Sequence, residues 1–223
     1  MMIFRYIDEL TRPDHSFLDE NDDCFYFAEY PTGKKEDNYN NPVYSLINNI
    51  KKPVSQKNQP YYKYKIRDIQ RCSKALVDIF NKYGDIGEYT IVPVPPSKTK
   101  NNPNYDPRLM DILSGLTTTF NNADVRELIV AKSDMTPSHE SSIRPSINKL
   151  KSNYMIDEGL IQGCRKDIIL FDDVLTSGAH FKACKELLLE YSPDSDIIGY
   201  FIARRLLPDP SLDFYNDDDE LPF

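Results

Sequence analysis

The stretch with the densest chemistry is DIILFDDVLTSGAHFKACKELL, residues 167–188. The apolar run 168–171 reads as a buried strand, and two adjacent carboxylates, Asp172 and Asp173, follow it. Val174 and Leu175 then lead through Thr176, Ser177, Gly178 and Ala179 into an amphipathic helix expected over 179–191. The first amides of a helix have no partner inside it, and the helix dipole adds positive potential there, so the amides of 176–180 suit a phosphate. Thr176 and Ser177 add hydroxyl donors, and Gly178 lets the backbone turn tightly and approach an anion. The acids repel a phosphate and must face something else. Sugar hydroxyls, or a magnesium ion held through water, satisfy carboxylates at that distance. The plainer alternative is that Asp173 only caps the loop.

Strand, paired acids, T-S-G and helix, in that order, resemble the phosphoribosyl pyrophosphate (PRPP) motif of the type I phosphoribosyltransferases. The resemblance implies that Asp172 and Asp173 hold the ribose 2′- and 3′-hydroxyls, and that Val174, Leu175, Thr176, Ser177, Gly178, Ala179 and His180 form the loop around the 5′-phosphate. It also implies Mg²⁺ bridging ribose and pyrophosphate oxygens, with Asp172 and Asp173 as its carboxylates through water. His180 stands where Thr or Ser is commoner and offers an imidazole donor instead.

A second piece agrees. IVPVPPSKTKNNPNYDPR, residues 91–108, is a strand breaking into a proline-rich loop, and it resembles the family's pyrophosphate loop. Pro95, Pro96, Ser97 and Lys98 are its expected contacts, a strained or cis peptide is expected near the two prolines, and Lys98, Lys100 and Arg108 are candidates to neutralise pyrophosphate. Taken singly, each of these cations could equally be a solvated loop charge. The V-P-V-P run and a short helix carrying Leu46, Ile47 and Lys51 resemble the competence-factor-F-like branch, whose cysteine-rich zinc module and arginine-glycine-asparagine signature are missing here. The resemblance implies that the polar segment between the strands at 127–131 and 167–171 is the place of the family's mobile hood, which closes over PRPP and excludes water. Lys132, His139 and Arg144 are its candidate contacts; an exposed-loop role suits His139 better, while for Arg144 a phosphate contact and a solvated loop charge stand about even, because charge-assisted phosphate contacts favour Arg. The implied reaction is displacement of pyrophosphate from PRPP by a nitrogen acceptor of unread identity. Residues 201–207, with Arg204 and Arg205, are candidates to line the acceptor side, and a homodimer stays open.

Around these residues, short β-branched runs alternate with helical periods. Strands are expected at 89–94, 127–131, 167–171 and 196–203, and helices at 43–50, 65–83, 107–120, 145–152 and 179–191. Such alternation indicates an α/β fold with a central parallel sheet flanked by helices on both faces, and ligands of such folds sit at the carboxyl edge. The expected organisation is an N-terminal extension with a short helix over 1–62, a phosphoribosyltransferase-like α/β domain over 63–208, and an acidic tail over 209–223. Within the extension, 24–30 reads as a short hairpin or edge strand.

Charge sharpens the reading. With 27 basic against 35 acidic residues the net charge is -8, which excludes a partner held by bulk positive charge. The tail carries six acids and no base; without it, 29 acids face 27 bases. Only KKPVSQKNQPYYKYKIR, residues 51–67, with six bases and three interleaved tyrosines, suits nucleic acid, and a solvated linker explains it more simply. Hence the alternative function, a non-catalytic PRPP-binding or nucleic-acid-linked module. No apolar run reaches the ~18 residues of a membrane span. The four cysteines lack paired spacing and, with no signal-peptide pattern before them, read as reduced thiols of a cytoplasmic protein without structural zinc. Neither GxxxxGK[ST], GxGxxG nor GxSxG is present, which argues against P-loop, dinucleotide and serine-hydrolase chemistry.

Overall fold

A computed structural model describes residues 4–33, 38, 40–135 and 146–207. In chain order the elements are β1 (Arg5–Tyr6), β2 (Cys24–Tyr30), α1 (Pro42–Ile50), α2 (Lys63–Tyr83), β3 (Tyr89–Pro93), α3 (Arg108–Thr119), β4 (Asp124–Val125), β5 (Ile129–Ala131), α4 (Ile147–Asn153), β6 (Tyr154–Ile156), α5 (Glu158–Ile161), β7 (Asp167–Leu175), α6 (Ala179–Tyr191) and β8 (Asp196–Arg205). Six strands form one sheet in the order β1-β2-β8-β7-β3-β4, parallel except for the antiparallel edge strand β1. The coarse expectation of an α/β fold with a mostly parallel, helix-flanked sheet is met.

Alternation along β7 divides the core. Ile168 and Leu170 pack with Phe181 and Leu187 of α6 and with Leu150, Tyr154 and Ile156, whereas Ile169 and Phe171 pack with Ile47, Leu76, Ile112 and Leu116 of α1, α2 and α3. A strand buried on both faces has to be apolar at successive positions, which is why 168–171 shows no alternation in sequence.

Two assignments change. The run at 127–131 does not join the parallel sheet: β5 pairs antiparallel with β6 in a separate two-stranded sheet, and β4 takes the edge beside β3. The segment 24–30 forms β2, which has the expected antiparallel partner in β1 but is not an edge strand, since on its other side it pairs in parallel register with β8, from Cys24 opposite Gly199 to Tyr30 opposite Arg205. The N-terminal segment thus completes the main sheet.

Neighbouring strands β3 and β7 feed helices on opposite faces, α3 on one and α6 on the other. Chains leaving a parallel sheet in opposite directions open a crevice at the carboxyl ends of the two strands, the usual ligand position in open α/β sheets. Among the described residues no helix is long and apolar enough to cross a membrane.

Candidate functional site

The crevice is a cavity of about 750 Å³. Its walls come from the residues after β3 (Pro95, Pro96, Ser97, Lys98, then 104–110), from the end of β7 and the start of α6 (Asp172, Asp173, Val174, Thr176, Ser177, Ala179, His180), and from Lys51, Glu127 and Arg205.

The acids lie within β7 rather than beyond it. On one side β7 stays paired with β8 as far as Leu175 opposite Arg204; on the other its pairing with β3 stops at Phe171 opposite Pro93, where Val94 N–H still donates to the Phe171 carbonyl at 2.9 Å. The strand continues because Val174 and Leu175 are apolar and buried, and the cleft opens because β3 peels away. Adjacent strand residues face opposite sides, so the two carboxylates meet different surroundings. Asp173 points to the α1–α3 side. There Lys51 Nζ, one residue past α1, stands 2.9 Å from Oδ1, and Arg108 donates from Nε and Nη2 to Oδ2 at 2.8 and 2.7 Å. Arg108 also binds Asp106 at 3.1 Å, and Asp106 receives the buried Lys65 ammonium at 2.7 Å. Burial alone would raise the Asp173 carboxyl, but the two cations outweigh it and hold the group well below the usual carboxylate range. Asp172 is pushed up to about 7, first by burial and then by the charge of Asp173.

The loop after the acids is fixed from behind. His15 Nδ1 donates to the Thr176 carbonyl at 2.5 Å, and Phe17 N–H donates to the Ser177 carbonyl at 2.9 Å. In a trans peptide the N–H points opposite to its C=O, so fastening these two carbonyls turns the amides of Ser177 and Gly178 the other way. Gly178 has φ +84°, the left-handed region that side chains avoid, and a Cβ there would lie 2.7 Å from Leu18 Cδ2. Loop, glycine and the thirteen-residue helix α6 thereby form a turn that carries its amides to a helix N-terminus, a geometry that suits an anion. His180, in the first turn, shares a 2.7 Å hydrogen bond from Nδ1 with the Tyr154 hydroxyl, and burial lowers its imidazole to about 4. At neutral pH it is an uncharged partner, not a cation.

The sequence candidates therefore separate. Asp172, Asp173, Val174, Thr176, Ser177, Ala179, His180, Pro95, Pro96, Ser97, Lys98, Arg108 and Arg205 meet on one cavity. Leu175 belongs to the core, and Gly178 shapes the turn from behind. Lys100 pairs with Glu127 at 2.6 Å, Lys132 donates to the Ser152 carbonyl at 2.9 Å, and Arg204 binds Asp14 and Glu29. His139, Arg144 and the acidic tail lie outside the described residues. Where a strained or cis peptide is expected near Pro95 and Pro96 there is no cis bond: among the described residues every peptide bond is trans and only glycines have positive φ. The 95–98 loop is instead steadied by the Met135 N–H, which donates to the Ser97 carbonyl at 2.7 Å, and by Asp134, which accepts from Thr99 and Asn102.

Sequence reasoning missed the roles of His15, Phe17, Leu18 and Lys51, because each meets its partner more than 120 residues away. It also missed Tyr105, whose hydroxyl donates to Glu127 on the cavity wall. Among the described residues no three His, Cys, Asp or Glu side chains converge as a metal cage. All four cysteines are unpaired thiols, three of them buried. Set against protein-family models and against curated proteins, the chain matches none.

Proposed function

We propose that the cavity binds PRPP and that the protein is a phosphoribosyltransferase, passing the 5-phosphoribosyl group to a nitrogen acceptor with release of pyrophosphate. The observation that supports this best is convergence: an acid pair, a helix-start turn with a left-handed glycine, and the loop after the neighbouring strand all face one crevice. In this reading Asp172 and Asp173 accept from the ribose hydroxyls, the turn at 176–179 takes the 5′-phosphate, and the 95–98 loop with Lys98 takes pyrophosphate. Mg²⁺ fits as a ligand-borne ion, because Asp173 is already neutralised by two cations and Asp172 forms no ion pair among the described residues. Bound that way, it would screen pyrophosphate charge as the leaving group departs. The protein's own part is positioning and charge stabilisation around the anomeric carbon, with Asp172 and Asp173 fixing the ribose against the turn.

Pyrophosphate release is the test. Incubating the protein with PRPP, Mg²⁺ and a panel of nitrogen bases should release pyrophosphate with at least one of them, and PRPP binding without turnover on any base would instead support a PRPP-binding module. That second reading is favoured by the ion pairs that already occupy both oxygens of Asp173. Its nucleic-acid form loses part of its motive, since Lys51, Lys65 and Arg67 of the basic stretch are paired with Asp173, Asp106 and Asp68, and Lys65 is buried.

A further inference from the structure

The two cations on Asp173 are bound unequally. Arg108 grips two carboxylates at once, with Nε and Nη2 on Asp173 and Nη1 on Asp106, and Asp106 is itself anchored by Lys65. Its fork cannot leave Asp173 without exposing a second buried pair. Lys51 has a single carboxylate partner, at 2.9 Å, and its side chain is 33% exposed, against 18% for Arg108. It sits at the end of α1 on a flexible four-carbon stem, on the wall of the cavity that the 176–179 turn and the 95–98 loop also face. The Arg108 fork takes both acceptor sites of Asp173 Oδ2 and Lys51 takes one on Oδ1, so a sugar diol that engages Asp173 with both hydroxyls competes with Lys51 for Oδ1. Of the two cations, the one that can move is Lys51.

We propose that Lys51 is a displaceable counter-ion: a ligand diol takes its place on Asp173, and the released ammonium turns to the phosphate groups of the same ligand. The inference rests on the PRPP reading of the site and adds a selection rule to it. A bare diol would strip Lys51 from Asp173 and give its charge nothing in return, and a bare phosphate would leave Lys51 where it is. A ligand carrying a diol with a di- or polyphosphate close beside it supplies both halves of the exchange. The cavity is thereby matched to pyrophosphorylated sugars over monophosphorylated ones. Lys51 is a binding residue in this account, and Arg108 a positioning residue that holds Asp173 in place throughout.

Titration calorimetry of PRPP and of ribose 5-phosphate, each with Mg²⁺, against wild type, Lys51→Met and Lys51→Arg tests the exchange, with the melting temperature of each variant recorded. The expected result is that Lys51→Met weakens PRPP about tenfold or more while changing ribose 5-phosphate less than threefold, and that Lys51→Arg restores most of the loss. If Lys51→Met weakens both ligands alike, Lys51 only holds Asp173 in shape and the proposal is overturned. If it leaves PRPP affinity unchanged, the proposal is overturned while the PRPP reading stands. Wild type binding neither ligand would overturn the PRPP reading itself, and the exchange with it.

Discussion

Two parts of the site lie three residues apart and are held by different physics. The acid pair is set by charge: Asp173 is clamped between Lys51 and Arg108, and Asp172 is left beside it with a raised carboxyl. The 176–179 turn is set by uncharged groups, two carbonyls fastened by His15 and Phe17 and a glycine packed on Leu18. In the proposed function this turn, hydrogen-bonded from behind and with its glycine already left-handed, takes the 5′-phosphate without a change of backbone. An ion-paired carboxylate can exchange partners. One half of the site is thus held by hydrogen bonds and packing and the other by ion pairs, and both depend on the N-terminal segment, which supplies His15, Phe17, Leu18 and Lys51.

The sharpest break of this contrast is Asp173→Ala. It leaves the largely buried Arg108 fork without one of its two carboxylates, while Lys51 can turn to the open cavity, and urea unfolding should show a loss of about 3 kcal/mol that added salt barely changes, because buried pairs are poorly screened. A loss below 1 kcal/mol would mean that the charge clamp contributes little. Next is Gly178→Val, expected to cost about 2–3 kcal/mol through backbone strain and the clash with Leu18. Adding Leu18→Ala should recover only the clash, so full recovery would show that the left-handed φ is not the constraint. His15→Leu keeps the volume but leaves the Thr176 carbonyl without its donor. A cost of about 1–2 kcal/mol is expected, together with faster amide exchange at 176–178 than in wild type.

The smallest effect is on pH dependence. The Asp172 carboxyl is raised in the folded protein, so its contribution to stability is full below its unfolded value near 4 and is lost as pH rises toward about 7. The His180 imidazole is lowered, so its contribution is full above about 6.5 and is lost as pH falls toward about 4. The two oppose each other across the same window. Asp172→Asn removes one of them, and its urea midpoint should rise more steeply between pH 4.5 and 6.5 than that of wild type. Equal slopes would show that Asp172 titrates elsewhere.

The β7–α6 half was readable because everything that shapes it is local: an unbroken apolar run, two acids, a glycine and a helical period within 25 residues. The fate of 127–131 was not readable. An apolar run of that length looks the same in a central parallel strand and in a small covering sheet, and the two-residue β4 that takes its expected edge carries no pattern at all. β2 was set apart as an extension because its pairing with β8 spans about 175 residues and leaves no mark on either segment alone. Lys51 reads as a solvated charge at a helix end until the fold brings Asp173 to it. Short-range chemistry was thus visible in the sequence, whereas the groups that hold it in place are long-range partners.

The central claim, that the crevice between β3 and β7 binds PRPP through the acid pair and the turn, is tested most directly by titrating PRPP with Mg²⁺ into wild type and into the Asp172→Asn, Asp173→Asn double variant. The account predicts saturable binding by wild type and a loss of at least about 100-fold in a double variant that still unfolds cooperatively. Undiminished affinity in that variant would contradict it.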